Sequence, residues 1–532
     1  MDICRRGFLR SGTTSFVASS GVTSQLCTAC SPLAHAEEPD GRALFDVKSF
    51  GAAADGKTID TAAVNRAIAA AAAAGGGTVR FPPGEYACHS IHLKSHVALH
   101  LELGAVVLAA SSSGFDAAES NAPFESYQDF GHNHWHNSLI WGEDIHDVAI
   151  VGPGLICGQG LSRGEVPEPG LPAADAPGVA DKAIALKRCR NVIVRDVAIL
   201  AAGHFAILAT GVDNLTLEAL KIDTNRDGIN VDCCRNVRIS GCSVNSPWDD
   251  GICLKSSFAL GEQRATENVA INDCYVTGGF ALGAMLNRTF RRTNANGGQP
   301  TGRIKCGTES SGGFKNIVIG NCVFENCRGF ALESVDGGPI EDITFINIVM
   351  RNICNAPFFL RLGARLRAPP GISVGTFRRV TISNVVCEAP TNNAPAIIAG
   401  IPGHLIENVR VSDVVMVQQG DGAAALADII PPEQERDYPE PSFFGPLPAQ
   451  GLLIRHARNV EFHHVEITSI QHDERPFIWV DDVDGAEFSH LNVSLVGHVP
   501  AIRLRDARGV RVSGSRGIPN THLNHVTDER IP

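Results

Sequence analysis

Apolar and polar positions alternate in a nine-residue pattern that recurs nine times along the chain. Alternation with a period of two is typical of a β-strand whose two faces meet different surroundings. Turn-forming glycine, asparagine and aspartate residues separate the units. The units begin at Asn191, Asn214, Asn236, Asn268, Asn316, Asp342, Arg379, Asn408 and Asn459.

The spacing of these units predicts a solenoid. Consecutive starts lie 23, 22, 32, 48, 26, 37, 29 and 51 residues apart, and we interpret the longer spacings as the short unit with inserted loops. Strands that repeat at this period bury their apolar side by stacking as coils. The fixed leucines of leucine-rich repeats are absent, and a propeller blade needs ~40–50 residues. We therefore predict an all-β, single-stranded right-handed parallel β-helix.

The segment before the repeats predicts an N-terminal capping helix. An alanine-rich stretch from Thr61 to Ala74 has helical character, and Asp60 is a plausible N-cap residue. The glycine-rich stretch at 75–84 lacks the GK[ST] element of a phosphate loop. We expect the helix to close the open end of the solenoid.

The domain organisation follows from these elements. Residues 1–36 are predicted to be an export signal and residues 37–110 to form the cap and first coils. Residues 111–532 are predicted to form the main, catalytic β-helix, with loops inserted at 277–315 and 417–450.

The N-terminus predicts export. Arg5-Arg6-Gly7-Phe8-Leu9 and the Ala34-His35-Ala36 sequence resemble a twin-arginine signal and its cleavage site. This favours a periplasmic or secreted bacterial protein, with an exposed basic terminus as the alternative. Acylation of Cys30 is a weaker hypothesis.

Composition excludes several classes of protein. The net charge of −12 is unfavourable for binding nucleic acid. Beyond the N-terminus no apolar run reaches the ~18 residues of a membrane span. The oligomeric state is left open.

Three cysteines share one position in their repeats. Cys242, Cys274 and Cys322 each lie six residues after the first residue of their unit, where other units have Val, Leu or Ile. We expect them to stack as small buried hydrophobic residues rather than as disulfides or a metal site. The state of Cys233 and Cys234 is left open.

Acidic residues converge on one part of the predicted solenoid. Asp227 and Asp249 each lie 13 residues after the asparagine that opens their unit, and Asp250 follows directly. His204 has the same offset one coil earlier. Strands in adjacent coils lie ~4.8 Å apart, so these groups should stack and one carboxyl should have a raised pKa. Nearby cations argue against a metal ion, and we predict no cofactor.

Two acid-free basic stretches accompany this cluster. One runs from Arg288 to Lys305 and the other from Arg351 to Cys387. In an acidic protein they favour an anionic substrate, and solvated surface loops are the alternative.

Together these motifs resemble glycoside hydrolase family 28, the polygalacturonases and their rhamnogalacturonan-directed relatives. Asn225-Arg226-Asp227 is similar to the family's Asn-Thr-Asp motif, Asp249-Asp250 to its Asp-Asp motif, and Arg303-Ile304-Lys305 to its Arg-Ile-Lys motif. Phe50-Gly51 through Asp55-Gly56 is similar to the usual opening of the family.

The resemblance implies metal-free, inverting hydrolysis of galacturonate-containing pectic chains. It implies that Asp249 is the general acid, that Asp227 and Asp250 activate water, and that Arg303 and Lys305 bind a substrate carboxylate. A separation of the carboxylates that admits water would favour inversion. Further candidate substrate-binding residues are Asn225, Lys255, His204 and Glu333.

Two departures from the family pattern bear on specificity. Thr277-Gly278-Gly279 stands where a Gly-His-Gly motif is expected, and Asn230 replaces a second acid. These changes favour exo action or a galacturonosyl–rhamnose linkage over plain endo-polygalacturonase activity. The long inserts either close one end of the groove or decorate the surface.

Weaker signals lie outside these motifs. We interpret the loop from His132 to His136 as lining the groove, with Trp135 stacking on a sugar. Glu333 and Asp336 either face the substrate or belong to a turn.

Two other classes of function remain open. A lyase on the same fold would use calcium and a basic residue, whereas three acids beside Arg303 and Lys305 fit hydrolysis better. A non-catalytic carbohydrate-binding β-helix gives no reason for Asp227 and Asp249 to share an offset.

Overall fold

The computed structural model describes residues 43–111, 113–164, 172–494 and 499–532. The predicted export signal lies outside the described residues. The described chain contains one α-helix, α1 (Thr61–Ala73), and short 3-10 helices at Val47–Phe50, Glu125–Tyr127, Ala295–Gly298, Ala424–Asp428 and Pro441–Phe444. Among the described residues, no helix is long and apolar enough to cross a membrane.

All other regular elements are strands. Those before the first large insert are β1 (Leu44–Asp46), β2 (Asp55–Ile59), β3 (Gly77–Phe81), β4 (Gly84–Cys88), β5 (Ile91–His92), β6 (Val97–Leu101), β7 (Ala105–Ala109), β8 (Ser138–Glu143), β9 (His146–Val151), β10 (Leu155–Cys157), β11 (Lys182–Lys187), β12 (Arg190–Arg195), β13 (Ala198–Leu200), β14 (Phe205–Thr210), β15 (Asp213–Glu218), β16 (Lys221–Asp223), β17 (Asp227–Asp232), β18 (Arg235–Ser240), β19 (Ser243–Asn245), β20 (Ile252–Ser256), β21 (Thr266–Asn272) and β22 (Tyr275–Thr277).

Those after it are β23 (Ile304–Ser310), β24 (Phe314–Gly320), β25 (Val323–Glu325), β26 (Phe330–Ser334), β27 (Ile340–Arg351), β28 (Phe358–Leu362), β29 (Phe377–Ala389), β30 (Ala396–Ala399), β31 (Ile406–Gln418), β32 (Leu452–Ser469), β33 (Ile478–Ser489), β34 (Asn492–Val493), β35 (Ile502–Ser513) and β36 (Thr521–Ile531).

The strands form a right-handed parallel β-helix with three faces, as predicted. The first sheet runs from β5 through β8, β11, β14, β17, β20, β23, β26, β28 and β30. The second runs from β1 through β3, β6, β9, β12, β15, β18, β21 and β24, and the third from β2 through β4, β7, β10, β13, β16, β19, β22 and β25. The long strands β27, β29, β31 and β32 each pass through two or more sheets, whereas β28 and β30 belong to the first sheet alone. Antiparallel β36 covers the edge of β35, which protects the last coil from pairing with another chain.

The asparagine that opens each repeat has a structural cause. Asn191, Asn214, Asn236, Asn268 and Asn316 all have φ between 53° and 59°, a left-handed conformation that asparagine tolerates better than most residues. Each side-chain amide after the first donates to the amide oxygen of the preceding asparagine at 2.9–3.2 Å. The repeated asparagine is therefore a hydrogen-bonded ladder along the turn before the second sheet.

The cysteine column is buried as expected. Cys242, Cys274 and Cys322 are 1–2% exposed and lie in successive coils of the core. Cys233 and Cys234, which the sequence left open, are also buried, and neither forms a disulfide. The Cys233 thiol points at the Asp232 carboxylate and the Ser257 carbonyl.

The cap matches the prediction with one difference in detail. Helix α1 ends at Ala73 and buries Val64, Ala67 and Ile68 against the first coils. Asp60 occupies the N-cap position, but its carboxylate accepts hydrogen bonds from the Ala53 and Ala54 amides instead of capping the helix. The preceding loop supplies two nearby free N–H groups, and these compete successfully for the carboxylate.

The predicted segment boundaries shift in the structure. Strands β5, β6 and β7 pair with β8, β9 and β10, so the sheets continue across the predicted boundary at residue 110. The first insert spans 278–303, because residues 304–310 and 314–320 return to the sheets as β23 and β24. The second insert spans 419–451, between β31 and β32.

Candidate active site

The acidic residues meet on the first sheet, at the start of two neighbouring strands. Ile229 of β17 pairs with Ile252 of β20, and continuing this register places Asp227 opposite Asp250, with Asp249 one residue earlier. The predicted alignment of Asp227 with Asp249 is therefore wrong by one residue. The extra residue lies in the turn from β19 to β20, because the preceding strands β16 and β19 pair with an offset of 22.

The three carboxylates converge nevertheless. One oxygen from each of Asp227, Asp249 and Asp250 lies within 4.8 Å of the others. Asp227 and Asp250 are each 4% exposed, whereas the Asp249 side chain is 32% exposed and lies 3.4 Å from the Arg226 guanidinium. Two buried carboxyls and one accessible carboxyl therefore share a single small site.

The surroundings of Asp227 and Asp250 shift the pKa values of these two buried carboxyls in opposite directions. Burial raises the pKa of Asp227 well above its ordinary value, and the nearby Asp249 carboxylate raises it further. Burial acts in the same direction on Asp250, but Lys305 and Arg303 outweigh it and lower the pKa of Asp250. The site thus combines one carboxyl whose pKa is raised with one whose pKa is lowered, a separation that acid/base chemistry uses.

Arg303 and Lys305 lie beside these acids but are not free. The Arg303 Nε donates to Asp250 Oδ1 at 3.0 Å, and the Lys305 Nζ lies 3.3 Å from Asp250 Oδ2. Both side chains are only 3% exposed. Their nearest anions also include Glu440 for Arg303 (3.6 Å) and Glu333 for Lys305 (3.7 Å). In this structure Asp250 is the nearest anion to both Arg303 and Lys305.

The second insert completes this arrangement. Lys305 Nζ donates to the Tyr438 hydroxyl at 3.1 Å and lies 5.4 Å from the centre of its ring. Glu440 accepts a hydrogen bond from Arg328 at 3.0 Å. Sequence reasoning missed Tyr438 and Glu440, because no periodicity links the insert to the strands that it covers.

Two further predicted site residues, His204 and Asn225, lie near the acids or hold the turn that carries them. The His204 Nε2 lies 3.9 Å from Asp227 Oδ2, although the register aligns Phe205 rather than His204 with Asp227. Burial lowers the pKa of His204 well below its ordinary value, so the ring is neutral. The Asn225 carbonyl accepts a hydrogen bond from the Trp248 amide and so fixes the turn that carries Asp249.

The Thr277-Gly278-Gly279 segment opens the first insert at the end of β22. The Gly278 amide donates to the Asn326 carbonyl, and a Cβ at Gly278 would meet Pro300 and the Pro247 backbone. The imidazole of His204, from the preceding coil, lies beside the acids instead, 3.9 Å from Asp227.

Lys255 belongs to a second buried charge cluster. Its Nζ lies 2.9 Å from Glu309 Oε2, and the His132 ring lies 3.7 Å from the same oxygen. The Asp129 carboxylate pairs with Arg367 at 2.6 Å and its backbone amide donates to Glu309. Glu309 was not predicted, although it follows Lys305 by four residues on the same strand.

The roles of Glu333 and Asp336, which the sequence left ambiguous, differ in the hydrogen bonds that their carboxylates make. Glu333 is fully buried beside Lys305, burial raises its pKa, and neither carboxylate oxygen has a hydrogen-bond partner. Asp336 is also buried but accepts hydrogen bonds from Arg365 and from the Arg367 amide. Glu333 therefore retains free acceptors near the site, whereas Asp336 holds a loop in place.

The interpretation of Trp135 as a sugar platform is wrong. Trp135 is fully buried, donates from its indole nitrogen to Thr210, and packs with Phe205 and Leu208 on the outer face of the first sheet. Burial of the indole against the apolar outer face of β11 and β14 is more favourable than its exposure to solvent. Trp248, directly before Asp249, is an exposed aromatic residue at the site, with 49% of its surface accessible, and Tyr438 beside Lys305 is another, with 42%.

Both ends of the first sheet are covered on the outside. Trp135 covers the coils before the acids, and Phe444 and Leu447 of the second insert cover the coils after them. The latter two pack on outward-facing residues of the sheet, namely Ala331, Phe359, Ile397, Leu453 and Trp479. The accessible residues beside the acids are Arg226, Trp248 and Asp249, and Tyr438 is exposed next to Lys305.

The fold and the site together define a parallel β-helix protein with an acid/base centre of three carboxylates. Residues 100–425 match the model of glycosyl hydrolases family 28, and residues 44–104 match that of rhamnogalacturonase A/epimerase, pectate lyase-like. The first match covers more than half of the chain, which therefore belongs to glycosyl hydrolase family 28.

Individual proteins show the same relationship at low identity. A probable polygalacturonase from Vitis vinifera is 26% identical over 57% of this chain and 60% of its own length. An exo-poly-alpha-D-galacturonosidase from Dickeya chrysanthemi is 22% identical over 66% of this chain and 64% of its own. Both matches span less than two thirds of the relative. The family 28 exopolygalacturonase of Yersinia enterocolitica has a similar fold, with a TM-score of 0.63, 20% identity, and coverage of 85% of this chain and 78% of that chain.

Proposed function

We propose that this chain is an exo-acting glycoside hydrolase that cleaves galacturonate-containing pectic chains, either homogalacturonan or rhamnogalacturonan. The observation that carries the proposal is the convergence of three carboxylates within 4.8 Å on the first sheet. Family membership and the names of the polygalacturonase relatives support the substrate class.

Each carboxyl has a separate role in this proposal. Asp250, which Lys305 and Arg303 keep ionised, is the general base that activates water. Burial and the neighbouring Asp249 carboxylate favour the protonated form of Asp227. Asp249 is the accessible member of the pair and delivers the proton to the leaving oxygen. Asp227 thus differs from its predicted role as a second activator of water.

The stereochemistry of the reaction is a separate prediction. One oxygen from each carboxylate lies within 4.8 Å of the others, and this distance between nearest oxygens differs from the separation of roughly 6.5–9.5 Å between whole carboxyl groups in typical inverting glycosidases. Adjacent coils impose the short distance. Inversion therefore stays a prediction that rests on the family, and NMR of the first anomer released would test it: the retained anomer would contradict it.

Polar groups without partners are available for sugar hydroxyls. Both side-chain amide atoms of Asn230 and both carboxylate oxygens of Glu333 are buried with no hydrogen-bond partner among the described residues. Buried polar atoms are normally satisfied, so a polyhydroxylated ligand is a good complement. We propose that Arg226, 36% exposed beside Asp249, contacts a uronate carboxylate at the mouth of the site.

Exo action follows from the covering of the first sheet. Trp135 on one side and Phe444 on the other cover the sheet where an open path along it would run. A polymer chain crossing the site would need such a path, whereas a chain end needs only the mouth near Trp248. In this proposal the second insert closes one end of the groove and does not merely decorate the surface.

The mode of cleavage provides the test. With homogalacturonan and rhamnogalacturonan oligosaccharides as substrates, we expect one small product to accumulate from the first time points while the polymer's viscosity falls slowly. Early appearance of a ladder of intermediate oligomers, or a rapid fall in viscosity, would contradict exo action.

Trp248 is expected to bind a sugar ring outside the acids. It is half exposed, is fixed through its backbone by Asn225, and directly precedes Asp249. Replacing Trp248 by alanine should lower kcat/KM on oligosaccharides about 3–10-fold, since an aromatic contact contributes about 0.5–1.5 kcal/mol. Trp248→Phe should retain most of the activity. Equal kinetics for Trp248→Ala and the parent would remove Trp248 from the site.

We also propose that the protein is exported, on the basis of Arg5-Arg6 and the Ala34-His35-Ala36 sequence. N-terminal sequencing of the mature protein from a bacterial host should find Glu37 first. An intact Met1 in the cytoplasmic fraction would contradict export.

A further inference from the structure

Three histidines meet at the surface of the last coils, far along the chain from the acids. His464 and His490 lie opposite one another in neighbouring coils, because Phe462 pairs with Phe488 and His463 with Ser489. Asp413 lies opposite His464, since Val414 pairs with Val465. All of these positions belong to the turn between the second and third sheets.

This turn has its own ladder in earlier coils. Asn321, Asn347 and Asn384 occupy it with φ of 52–56°, and their amides are joined by hydrogen bonds of 2.8–3.0 Å. Asp413, His464 and His490 continue the same column with φ of 54°, 49° and 54°. A left-handed turn alone accounts for asparagine or aspartate, and it accepts histidine, but it does not require imidazoles in two successive coils.

The imidazoles are close enough to share one ion. The ring centres of His463 and His464 lie 3.9 Å apart, those of His464 and His490 lie 4.8 Å apart, and those of His463 and His490 lie 5.1 Å apart. One nitrogen from each ring lies within 4.8 Å of the others. The ligand atoms of a tetrahedral zinc site lie roughly 3.3–3.5 Å apart, so rotations of the side chains are sufficient to bring them together.

A carboxylate and an open space complete the arrangement. Asp413 Oδ1 lies 3.5 Å from His464 Nδ1 but outside the 4.8 Å that the three imidazoles share, so a rotation of its side chain would bring it to the ion. The next residue of the column is Gly514, where a Cβ would come within 3.0–3.2 Å of the His490 ring. The glycine therefore leaves the His490 ring room beside the cluster.

We propose that His463, His464, His490 and Asp413 form a binding site for a divalent transition-metal ion such as Zn²⁺, Ni²⁺ or Cu²⁺. Imidazole nitrogens are the preferred protein ligands of these metals, and three histidines with one carboxylate give four ligands. The ion would tie together three successive coils, in addition to strand pairing and to the His463–Ser489 and Asp413–His464 contacts. The site is independent of the acid/base centre, and its test uses binding rather than hydrolysis.

The test is a metal titration of the full chain after treatment with a chelator, at a pH above the ordinary imidazole pKa of about 6.5. We expect ZnCl₂ to bind at one ion per chain in calorimetry and to raise the unfolding temperature, because an ion that binds the folded state stabilises it. Co²⁺ in place of Zn²⁺ should develop visible absorption bands of a nitrogen-rich site.

Two variants and one control locate the ion. His464→Asn and His490→Asn keep the residue type that the column uses elsewhere, so they should unfold at the parent's temperature without metal. Each should weaken zinc binding at least about 10–100-fold, the loss that even outer-shell changes cause. The control is His146→Asn, because His96, His146 and Asp147 form another surface cluster; it should bind zinc like the parent.

Several outcomes would overturn the proposal. These are the absence of saturable zinc binding in the parent, parental affinity in both asparagine variants, or loss of binding in His146→Asn. If His464→Asn fails to fold, His463→Gln provides the same comparison, since its ring lies at the edge of the cluster and bonds only Ser489 within the protein.

Discussion

Replacing Asp250 by asparagine is expected to lower kcat by a factor of about 10²–10⁴, the usual contribution of a positioned general base. Asparagine keeps the shape of the side chain but cannot accept a proton from water. The Arg303 and Lys305 charges that now face Asp250 at 3.0 and 3.3 Å would also lose their nearest anion. Steady-state kinetics on galacturonate oligosaccharides measure the effect.

The companion variants make this prediction specific. Asp249→Asn should also reduce kcat strongly, because it removes the accessible proton donor. Asp227→Asn should cost less than Asp250→Asn, since a neutral amide resembles the protonated carboxyl that burial favours at Asp227. If Asp250→Asn retained parental kcat while still unfolding at the parental temperature, the role of Asp250 as the base would be wrong.

Lys305→Met is expected to change both stability and the pH dependence of activity. Lys305 is the cation that most strongly lowers the pKa of the buried Asp250 carboxyl. A carboxyl with a lowered folded-state pKa stabilises the fold above its unfolded-state pKa, and this contribution disappears as the pH falls through the folded-state value. Without Lys305 the pKa of Asp250 rises, so the acid limb of kcat/KM should move to higher pH.

The same substitution should cost about 3–5 kcal/mol of unfolding free energy. It removes one of the two buried cations that face Asp250, which keeps Arg303, and the cation nearest to Glu333. Urea denaturation and a kcat/KM pH profile are the measurements. Lys315→Met is the matched control: it removes one lysine charge at the surface, where the side chain is 35% exposed, and should leave the profile unchanged. An unshifted acid limb in Lys305→Met would contradict the electrostatic coupling of Lys305 to Asp250.

The repeat could be predicted because its cause is local. Left-handed turns and amide stacking select asparagine at Asn191, Asn214 and later positions, so periodicity in the sequence reports the coils directly. The convergence of Asp227 with Asp249 and Asp250 followed from the same period. The one-residue error arose because turns of different length, such as the one before β20, shift the register without changing the pattern of the strands.

The cover of the site could not be predicted in the same way. Tyr438 and Glu440 lie about 130 residues after the lysine and arginine they contact, in an insert without periodicity. The interpretation of Trp135 as a sugar platform is wrong because the structure has an apolar surface on β11 and β14 that the sequence pattern of those strands does not distinguish from core. Contacts between inserts and sheet faces depend on tertiary packing, which spacing alone does not encode.

The most direct test of the central claim is the mass of the first product that the purified protein releases from a galacturonate oligosaccharide, measured with EDTA present for the parent and for Asp249→Asn. Hydrolysis by the three carboxylates predicts a saturated product that has gained one water molecule, undiminished by EDTA and lost in the variant. An unsaturated product that disappears with EDTA, or an Asp249→Asn variant as active as the parent, would contradict the account.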